Sequence, residues 1–432
     1  MKNRKTRIAI IVEVKKREMP FMSILQAALK QKGYEVKLIP FRSMCTWRLL
    51  FFRPDIVLVN GLRTEDPYFI KQVYIPKKCF KARIACYYSE QVGYYNQSIA
   101  DGYNNPLILE NVDFHVAWGP RFTKDLLEMG VPRERLWYIG SVQYDIDKFL
   151  RKTPNDIKKG LSKKYHIPYE KKWVVYADNI IEKYQKEGLY AIRRRDTYEM
   201  VERVAKINPD CHIVFRHHPD TPVTEIEDAK KRFARIDNVS VISEGHIFDW
   251  TCSISALIMW ISTSSLQAMF MDKPVFGFMT SDGKNLEKYW YKDIFQTYNN
   301  AEELAGAVHG VLNGVEGAVD KDIEKNRIKY VADWYFKKDG YAFERLCQVF
   351  NMAGELPYRA LPQDLHYGYL KIINILYYEL RAWLGDIVKN RSKERNIIGK
   401  DVKLELQKFD ISRFEMNKKF EVKSSESGNY LV

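Results

Sequence analysis

Residues 211–220 have the sequence CHIVFRHHPD. The apolar run Cys211 to Phe215 predicts a buried strand, and the polar residues that follow leave this strand at its carboxyl end. A second stretch has the same plan, because the apolar run Ala256 to Trp260 leads into the hydroxyl-rich segment Ile261 to Ser265. Each stretch opens into a segment compatible with a helix. Cationic and imidazole side chains, together with a hydroxyl-rich helix start, are what a nucleoside diphosphate needs at the carboxyl edge of a parallel sheet.

The composition is typical of a globular protein with an anionic partner. The 432 residues are 46% hydrophobic and 29% charged, and this length suits two α/β domains with an extension. The 69 Lys and Arg exceed the 55 Asp and Glu, which gives a net charge of +14. A nucleoside diphosphate, an anionic lipid surface and nucleic acid all fit this excess. We expect no nucleic acid, because no RNA- or DNA-binding module is recognisable.

The sequence predicts a cytoplasmic protein. Its six cysteines are scattered without a CxxC pair, and several lie inside apolar runs, as is typical of reduced thiols. The first apolar run, Ile8 to Val12, is too short for a signal peptide. No run approaches the length of a membrane span, about 18 apolar residues, so any contact with the inner membrane is expected to be peripheral.

Strands alternate with helices in residues 1–150, which predicts a Rossmann-like domain with a parallel, doubly wound sheet. The predicted strands are Ile8 to Val14, Val36 to Ile39, Asp55 to Asn60, Arg83 to Tyr88, Asp113 to Trp118 and Leu136 to Ile139. The predicted helices are Met22 to Lys32 and Arg121 to Met129. The polar, Lys-rich segment Arg151 to Glu170 has the composition of an interdomain linker.

The same alternation predicts a second Rossmann-like domain at residues 165–320. Its expected strands are Trp173 to Ala177, Cys211 to Phe215, Val239 to Ile242, Ala256 to Trp260 and Pro274 to Phe278, with a helix at Tyr190 to Ile207. Residues 321–352 are expected to form helices that pack back on the domains. The predicted fold class is therefore α/β, with two tandem Rossmann-like domains and a C-terminal helical extension.

Residues 353–432 are expected to form a basic, aromatic helical extension with a partly disordered tail. The segment Tyr367 to Val388 has an apolar stripe at helical spacing, formed by Tyr369, Leu370, Ile373, Leu376, Tyr377, Leu380 and Leu384. Basic residues suited to lipid headgroups accompany it: Lys371, Arg381, Lys389 and Arg391. The stripe either lies on an anionic membrane or packs against the rest of the protein. Ser424 to Asn429 is weakly patterned, which predicts disorder.

The second domain supplies most of the candidate binding residues. Arg216 and His218 can donate hydrogen bonds to phosphate oxygens, and Pro219 turns the chain away from the strand. The start of the next predicted helix, where the helix dipole is positive, offers backbone N–H groups and four hydroxyls, those of Ser262, Thr263, Ser264 and Ser265. The alternative is that Ser262 or Thr263 only caps the helix and that His217 and His218 are ordinary loop residues.

Four motifs occur in a characteristic order. Glu13 to Glu18 has the form E-x-K-x-R-E, and Arg216 to Pro219 has the form R-x-H-P. Trp118-Gly119-Pro120 followed by Gly140 to Asp145 is the third motif, and Thr263 to Pro274 is similar to (S/T)-S-x-x-E-A-x-x-x-x-K-P. In these motifs the chain resembles GT-B glycosyltransferases of the bacterial surface-carbohydrate group (capsule and O-antigen biosynthesis). More distantly, it is similar to the CDP-glycerol glycerophosphotransferases.

The resemblance implies that the His-Pro element and the hydroxyl-rich helix start contact the phosphates of a nucleotide-sugar donor. This donor is a substrate, and the resemblance implies neither a cofactor nor a metal ion. In such transferases a glutamate of the following helix holds the donor ribose. Gln267 stands at that position here, and a neutral amide is a weaker hydrogen-bond partner than a carboxylate. No His, Cys and Asp cluster has metal-ligand spacing.

An inverting transfer needs a base that takes the proton of the acceptor hydroxyl. Glu13, Glu18 and Glu90 are the candidates, because each follows a predicted strand of the first domain. The alternative for the first two is an ion pair with Lys15, Lys16 or Arg17 on a solvated loop. A retaining transfer needs no such base, and the sequence leaves both outcomes open.

Further residues follow the strands of the second domain. Asp178-Asn179 either lines the cleft near the phosphates or caps a helix, and His246 either recognises the nucleobase or lies on a surface loop. Asp249 is expected to cap a helix. The run Arg193 to Arg195 is expected to form a solvated helix face.

These patterns predict a glycosyltransferase that acts on a polysaccharide or lipid-linked saccharide acceptor. Three alternatives remain: a CDP-glycerol- or ribitol-type phosphotransferase, a nucleotide-sugar 2-epimerase, and a non-catalytic scaffold of a polysaccharide assembly complex. The C-terminal extension favours a large or lipid-bound acceptor over an epimerase, whereas Gln267 is the feature that favours a scaffold.

Overall fold

The structure is a computed structural model. It describes residues 4–60, 66–88, 91, 106–178, 187–218, 221–260, 262–280, 293–315, 320–355, 358–363, 365, 367–388, 399–415 and 417–432. The chain forms two compact units. Unit 1 consists of Met1–Gly93, Gln97–Arg151 and Val331–Val432, and unit 2 consists of Tyr94–Asn96 and Lys152–Tyr330. The expected C-terminal segment 353–432 therefore belongs to unit 1.

Unit 1 contains an eight-stranded sheet with the order β13-β14-β6-β5-β4-β3-β1-β2, in which only the β13–β14 pair is antiparallel. The strands are Arg7–Val12 (β1), Glu35–Pro40 (β2), Ile56–Val59 (β3), Arg83–Tyr87 (β4), Phe114–Ala117 (β5), Leu136–Tyr138 (β6), Val422–Ser425 (β13) and Gly428–Leu431 (β14). The apolar runs predicted as strands are buried, as expected where helices cover both faces of a parallel sheet.

Unit 2 contains a six-stranded, fully parallel sheet with the order β12-β11-β10-β7-β8-β9. Its strands are Lys172–Ala177 (β7), Cys211–Arg216 (β8), Val239–Ile242 (β9), Ala256–Met259 (β10), Val275–Phe278 (β11) and Gln296–Tyr298 (β12). Strand β12 was not predicted from the sequence, because its three polar and aromatic residues form no apolar run. The two parallel sheets confirm the predicted α/β class.

Helices connect the strands of both units. They are Lys15–Gln31 (α1), Cys45–Phe52 (α2), Asp66–Phe69 (α3), Ile75–Phe80 (α4), Pro106–Asn111 (α5), Pro120–Glu128 (α6), Pro154–Tyr165 (α7), Glu187–Ile207 (α8), Val223–Phe233 (α9), Ile247–Ser253 (α10), Ser264–Phe270 (α11), Ala301–Leu312 (α12), Lys321–Trp334 (α13), Ala342–Glu355 (α14), Tyr369–Val388 (α15) and Gly399–Leu406 (α16). A π-helical turn, Ile70–Tyr74, joins α3 to α4. Among the helices described, none combines the length and the apolar character needed to cross a bilayer.

Two segments differ from the sequence-based expectation. The expected linker contains helix α7, which begins with a capping box between Thr153 and Asp156 and buries Ile157 and Leu161. The expected disordered tail forms β13 and β14, and β14 extends the sheet by pairing with β6. Both predictions were wrong, because the polar composition of these segments concealed a helix cap and a pairing with a distant strand.

A buried ion pair attaches the segment after α14 to unit 1. Lys77 Nζ lies 2.8 Å from Asp113 Oδ2, and both side chains are buried. The same Nζ donates to the carbonyl oxygen of Arg359 (2.9 Å), while Tyr358 Oη donates to the carbonyl oxygen of Lys77 (3.1 Å). Burial raises the pKa of Asp113 and lowers the pKa of Lys77, because desolvation disfavours both charges. Each of the two buried charges is therefore compensated only while the other is present.

We expect Lys77→Ala to lower the free energy of unfolding by about 3–5 kcal/mol, because it leaves the Asp113 carboxylate buried without its cation. Lys78→Ala is the matched control, since Lys78 is the exposed neighbour on the same helix and should change stability by less than about 0.5 kcal/mol. Urea unfolding followed by circular dichroism measures both. Equal effects of the two substitutions would contradict the assignment.

Candidate functional site

The strand order of unit 2 brings several polar residues to one edge of the sheet. β7 lies between β8 and β10, and Ala177 is in register with both Arg216 and Met259. Neighbouring strands are about 4.8 Å apart, so the residues that follow these three strand ends are close in space. They are Asp178 after β7, His217 after β8 and Trp260 after β10.

His217 is fully buried and is held by a carboxylate. Its Nδ1 lies 2.8 Å from Asp178 Oδ2, and neither side chain is exposed. Because an ionised carboxylate only accepts, Nδ1 carries the proton that forms this bond. The other ring nitrogen, Nε2, is buried and makes no hydrogen bond with the part of the chain that the structure describes. The ring is therefore fixed in orientation by Asp178.

Arg194 extends this network to a second carboxylate. Its Nη1 lies 2.9 Å from Asp178 Oδ2, and its Nη2 lies 2.6 Å from Glu225 Oε2. The neighbouring Arg193 is also buried and lies over the ring of Trp260, with 3.5 Å between Cζ and the ring centroid. The expectation of a solvated face was therefore wrong for these two arginines, and only Arg195 is exposed.

The charge state of Asp178 follows from this arrangement. Burial alone would raise its pKa, but Arg194 and the hydrogen bond from His217 outweigh desolvation and hold the pKa below its ordinary value. Asp178 is therefore ionised at neutral pH and serves as the common acceptor for a guanidinium and an imidazole.

Arg216 contacts the loop that follows β9. Its Nη2 donates to the carbonyl oxygen of Gly245 (3.0 Å), and burial lowers the pKa of the guanidinium to about 10. Gly245 has φ +85°, and a Cβ there would lie 2.7 Å from Trp250 Nε1, so only glycine fits this turn. In this structure Arg216 therefore fixes the loop that leads to His246.

His246 caps helix α10 in unit 2. Its Nδ1 accepts from the backbone N–H of Phe248 (3.3 Å), and the residue is half-buried. Asp249 lies in the first turn of the same helix.

The hydroxyl-rich segment after β10 is partly engaged in its own turn. Ser262 Oγ donates to Ser264 Oγ (3.0 Å) and accepts from the backbone N–H of Ser264 (3.3 Å). Ser265 is buried and donates to the carbonyl oxygen of Ser262 (2.6 Å), whereas Thr263 is exposed. Of the two residues in the capping alternative, Ser262 accepts a backbone N–H of the first turn, whereas Thr263, the N-cap residue, makes no side-chain cap hydrogen bond and is exposed.

The remaining predicted residues of unit 2 have simpler positions. His218 is half-buried, and its carbonyl oxygen accepts from the backbone N–H of Thr221 (3.0 Å). Gln267 is half-buried in α11, one turn after Ser264. Asn179 and Pro219 lie outside the described residues.

In unit 1, Glu18 closes the turn between β1 and α1. Its carboxylate accepts from the backbone N–H groups of Glu13 (2.8 Å) and Val14 (3.2 Å) and pairs with Arg17 (3.0 Å). Burial raises the pKa of Glu18 and exceeds the opposing effect of Arg17. Glu13 is half-buried and accepts from Tyr68 Oη (3.3 Å), and Glu90 lies outside the described residues. The alternative ion pair of Glu18 with Arg17 is therefore present, but Glu18 is buried in α1 and does not lie on a solvated loop.

Sequence reasoning missed three members of the buried network: His217, Arg194 and Glu225. The R-x-H-P motif predicted His218 as a binding residue. In the structure the imidazole of the preceding residue, His217, is the buried one. Asp178 was among the predicted cleft residues, because it directly follows a predicted strand, but its contacts with His217 and Arg194 were not predicted. Among the described residues, no group of three or more His, Cys, Asp and Glu side chains could hold a metal ion.

We expect Asp178→Asn to lower the free energy of unfolding by about 2–4 kcal/mol at pH 7, because Arg194 and His217 lose their common anion. The folded-state pKa of Asp178 is depressed, so its contribution is fully present above about pH 4 and is lost as the pH falls through the folded-state pKa. Urea unfolding at several pH values should therefore show the two proteins converging in acid. Asp210→Asn, at an exposed position, is the control; a difference that stays constant with pH would argue against this role of Asp178.

Solved structures are similar to this chain over most of its length. The co-structure of S. aureus MnaA with UDP has a TM-score of 0.56 at 17% identity and covers 84% of this chain and 100% of its own. A putative UDP-N-acetylglucosamine 2-epimerase from Listeria monocytogenes has a TM-score of 0.56 at 13% identity, with 83% and 99% covered. A variant of the wall teichoic acid polymerase TagF has a TM-score of 0.57 at 12% identity, with 81% and 89% covered.

Comparisons of the sequence itself gave no match, either to a protein-family profile or to a curated protein. The similar structures are GT-B proteins with two Rossmann-like domains. The chain therefore has the GT-B fold, which confirms the fold expected from its sequence motifs.

Proposed function

We propose that the chain is a glycosyltransferase that takes its sugar from a nucleotide-sugar donor held by unit 2. The observation that supports this most is the set of residues at one sheet edge. Arg216, His217 and His218 follow one another at the end of β8, and Ser262 to Ser264 follow β10, two strands away. Cations, imidazoles and hydroxyls at the carboxyl edge of a parallel sheet suit a diphosphate.

The donor would bind through its phosphates. His218 and the exposed hydroxyl of Thr263 are the groups we assign to phosphate oxygens, while Asp178 orients His217 behind them. Arg216 would act mainly by holding the Gly245 turn, and His246 in that loop is our candidate for contact with the nucleobase. The MnaA structure is a complex with UDP, and this agrees with a uridine nucleotide as the first ligand to test.

Unit 1 would bind the acceptor, a polysaccharide or a lipid-linked saccharide. In an inverting transfer the acceptor hydroxyl oxygen attacks the anomeric carbon, and the bond from that carbon to the phosphate oxygen breaks. The nucleotide leaves with the bonding electrons, and the hydroxyl proton passes to a carboxylate. Glu13 is our choice for this base, since both oxygens of Glu18 already accept backbone N–H groups.

The fold alone does not separate a transferase from an epimerase or a glycerol-phosphate polymerase. One feature favours transfer over epimerisation. The MnaA structure is fully covered by 84% of this chain, so 16% of the chain lies outside the match. An epimerase changes only the nucleotide sugar itself, whereas additional structure suits a protein that must also bind a large acceptor.

The donor site is tested by isothermal titration with UDP, CDP and GDP. We expect one of them to bind the wild type and His218→Asn to weaken that binding by about tenfold, which is the loss of one charge-assisted hydrogen bond. His166→Asn is the matched control, because His166 is exposed on the same unit and its left-handed backbone tolerates asparagine. If no nucleotide binds the wild type, the proposal of a donor site fails.

The acceptor base is tested in a donor-turnover assay. We expect Glu13→Gln to lower turnover by about a hundredfold or more with little change in stability, because it removes a base while the amide oxygen can still accept from Tyr68 Oη. Glu18→Gln should also lower the midpoint of urea unfolding, because its carboxylate holds the turn after β1.

Products separate the rival activities in the same assay. Release of a nucleoside diphosphate with glycoside formation supports transfer, and release of CMP with a phosphodiester indicates a CDP-glycerol- or ribitol-type phosphotransferase. A changed nucleotide sugar without acceptor indicates an epimerase. A complete lack of turnover with every acceptor would indicate a scaffold, the alternative that Gln267 favours.

A further inference from the structure

Helix α15 is fixed to unit 1 by a buried polar contact. The Glu379 carboxylate is buried, accepts from the backbone N–H of Thr46 (3.0 Å) and pairs with Lys71 Nζ (2.9 Å). Trp47 Nε1 donates to the carbonyl oxygen of Leu376 (3.2 Å). Ile372 and Ile375, on the same side of the helix as Glu379, pack against the core of unit 1. These contacts determine which face of α15 the protein covers.

An apolar stripe of α15 is left exposed. It consists of residues three or four positions apart, which we call the outer stripe: Leu370, Ile373, Tyr377, Leu380 and Leu384. Leu370 is 77% exposed, and the adjacent Tyr369 is 85% exposed. Phe51 on α2, one turn after Trp47, is also 79% exposed. A contiguous apolar stripe of about 20 Å on a helix surface is large for a solvated face.

Positive charge lies beside the outer stripe. Arg381 is exposed and directly follows Leu380 of the stripe, whereas Lys371 lies on another side of the helix, with its Nζ 5.1 Å from the ring centroid of Tyr367. The acidic residues of α15 are Glu379, which is buried away from the stripe, and Asp386, seven residues later. Directly after α15, residues 389–395 contain four basic residues and one acidic residue. The surface therefore combines apolar side chains, tyrosines and positive charge.

We propose that the outer stripe binds an anionic lipid bilayer, with α15 lying parallel to the membrane surface. The apolar side chains enter the boundary between headgroups and acyl chains, the tyrosines lie at headgroup level, and Arg381 pairs with lipid phosphates. A second copy of the chain fits this surface poorly, because a symmetric contact would bring the two sets of positive charges together. The surface belongs to unit 1, whereas the nucleotide chemistry is assigned to unit 2.

The test uses the full chain and sucrose-loaded vesicles, either of phosphatidylcholine alone or of phosphatidylcholine with an equal part of phosphatidylglycerol. We expect sedimentation with the anionic vesicles and little with the neutral ones. The double variant Ile373→Asn/Leu380→Asn should bind the anionic vesicles at least about tenfold more weakly, because it removes apolar area from the stripe. Arg381→Glu should weaken binding most at low salt, where electrostatic attraction is least screened.

Ile328→Asn is the matched control, because Ile328 is an exposed isoleucine on a helix of unit 2 and should leave vesicle binding unchanged. Circular dichroism checks that each variant is folded, which is expected since the substituted residues are exposed.

Equal binding to both vesicle types, or no binding, overturns the proposal. So does a dimer in light scattering that the double variant dissociates, since the stripe would then be covered by a second copy. Nucleotide titration of the same variants is unaffected in either case, so this outcome is independent of the proposed function.

Discussion

The Asp178 carboxylate is the contact on which the candidate site depends. A carboxylate removed from water loses several kcal/mol of solvation, and it persists only where hydrogen bonds and opposite charges replace that loss. Asp178 obtains both from Arg194 and His217, at 2.9 and 2.8 Å. Asp178 also fixes the imidazole of His217, and this contact joins the end of β7 to the end of β8. Helix α8 is tied to the same edge, because Arg194 belongs to it.

The sequence predicted the position of the candidate site but not the contacts that hold its side chains. Buried strands ending in polar residues are visible as patterns, and parallel strands bring their carboxyl ends to one edge, so Arg216, His218 and Ser262 to Ser265 could be selected directly. Arg194 could not, because a run of three arginines on a helix has the composition of a solvated face. Its burial results from two carboxylates, Asp178 and Glu225, that are 16 and 31 residues away.

The same limit explains the errors at the ends of the units. The capping box of α7 was present in the residues Thr153 to Asp156, but the Lys-rich composition around it favoured a linker. Strand β14 had no local signal, since it depends on pairing with β6, almost 300 residues earlier in the chain. Local patterns predict elements that bury their own apolar residues, and they fail where a distant strand edge supplies the hydrogen bonds.

Buried charges also explain why α15 presents its apolar stripe to solvent. If only hydrophobic burial mattered, α15 would pack on unit 1 in the rotation that covers the most apolar area. Glu379 prevents this, because turning the outer stripe inward would carry its carboxylate away from Thr46 and leave the Lys71 ammonium buried without its anion. Breaking a buried pair costs about 3–5 kcal/mol, comparable to the gain from burying two large apolar side chains. The ion pair contributes little net stability, and its effect is to select one orientation of the helix.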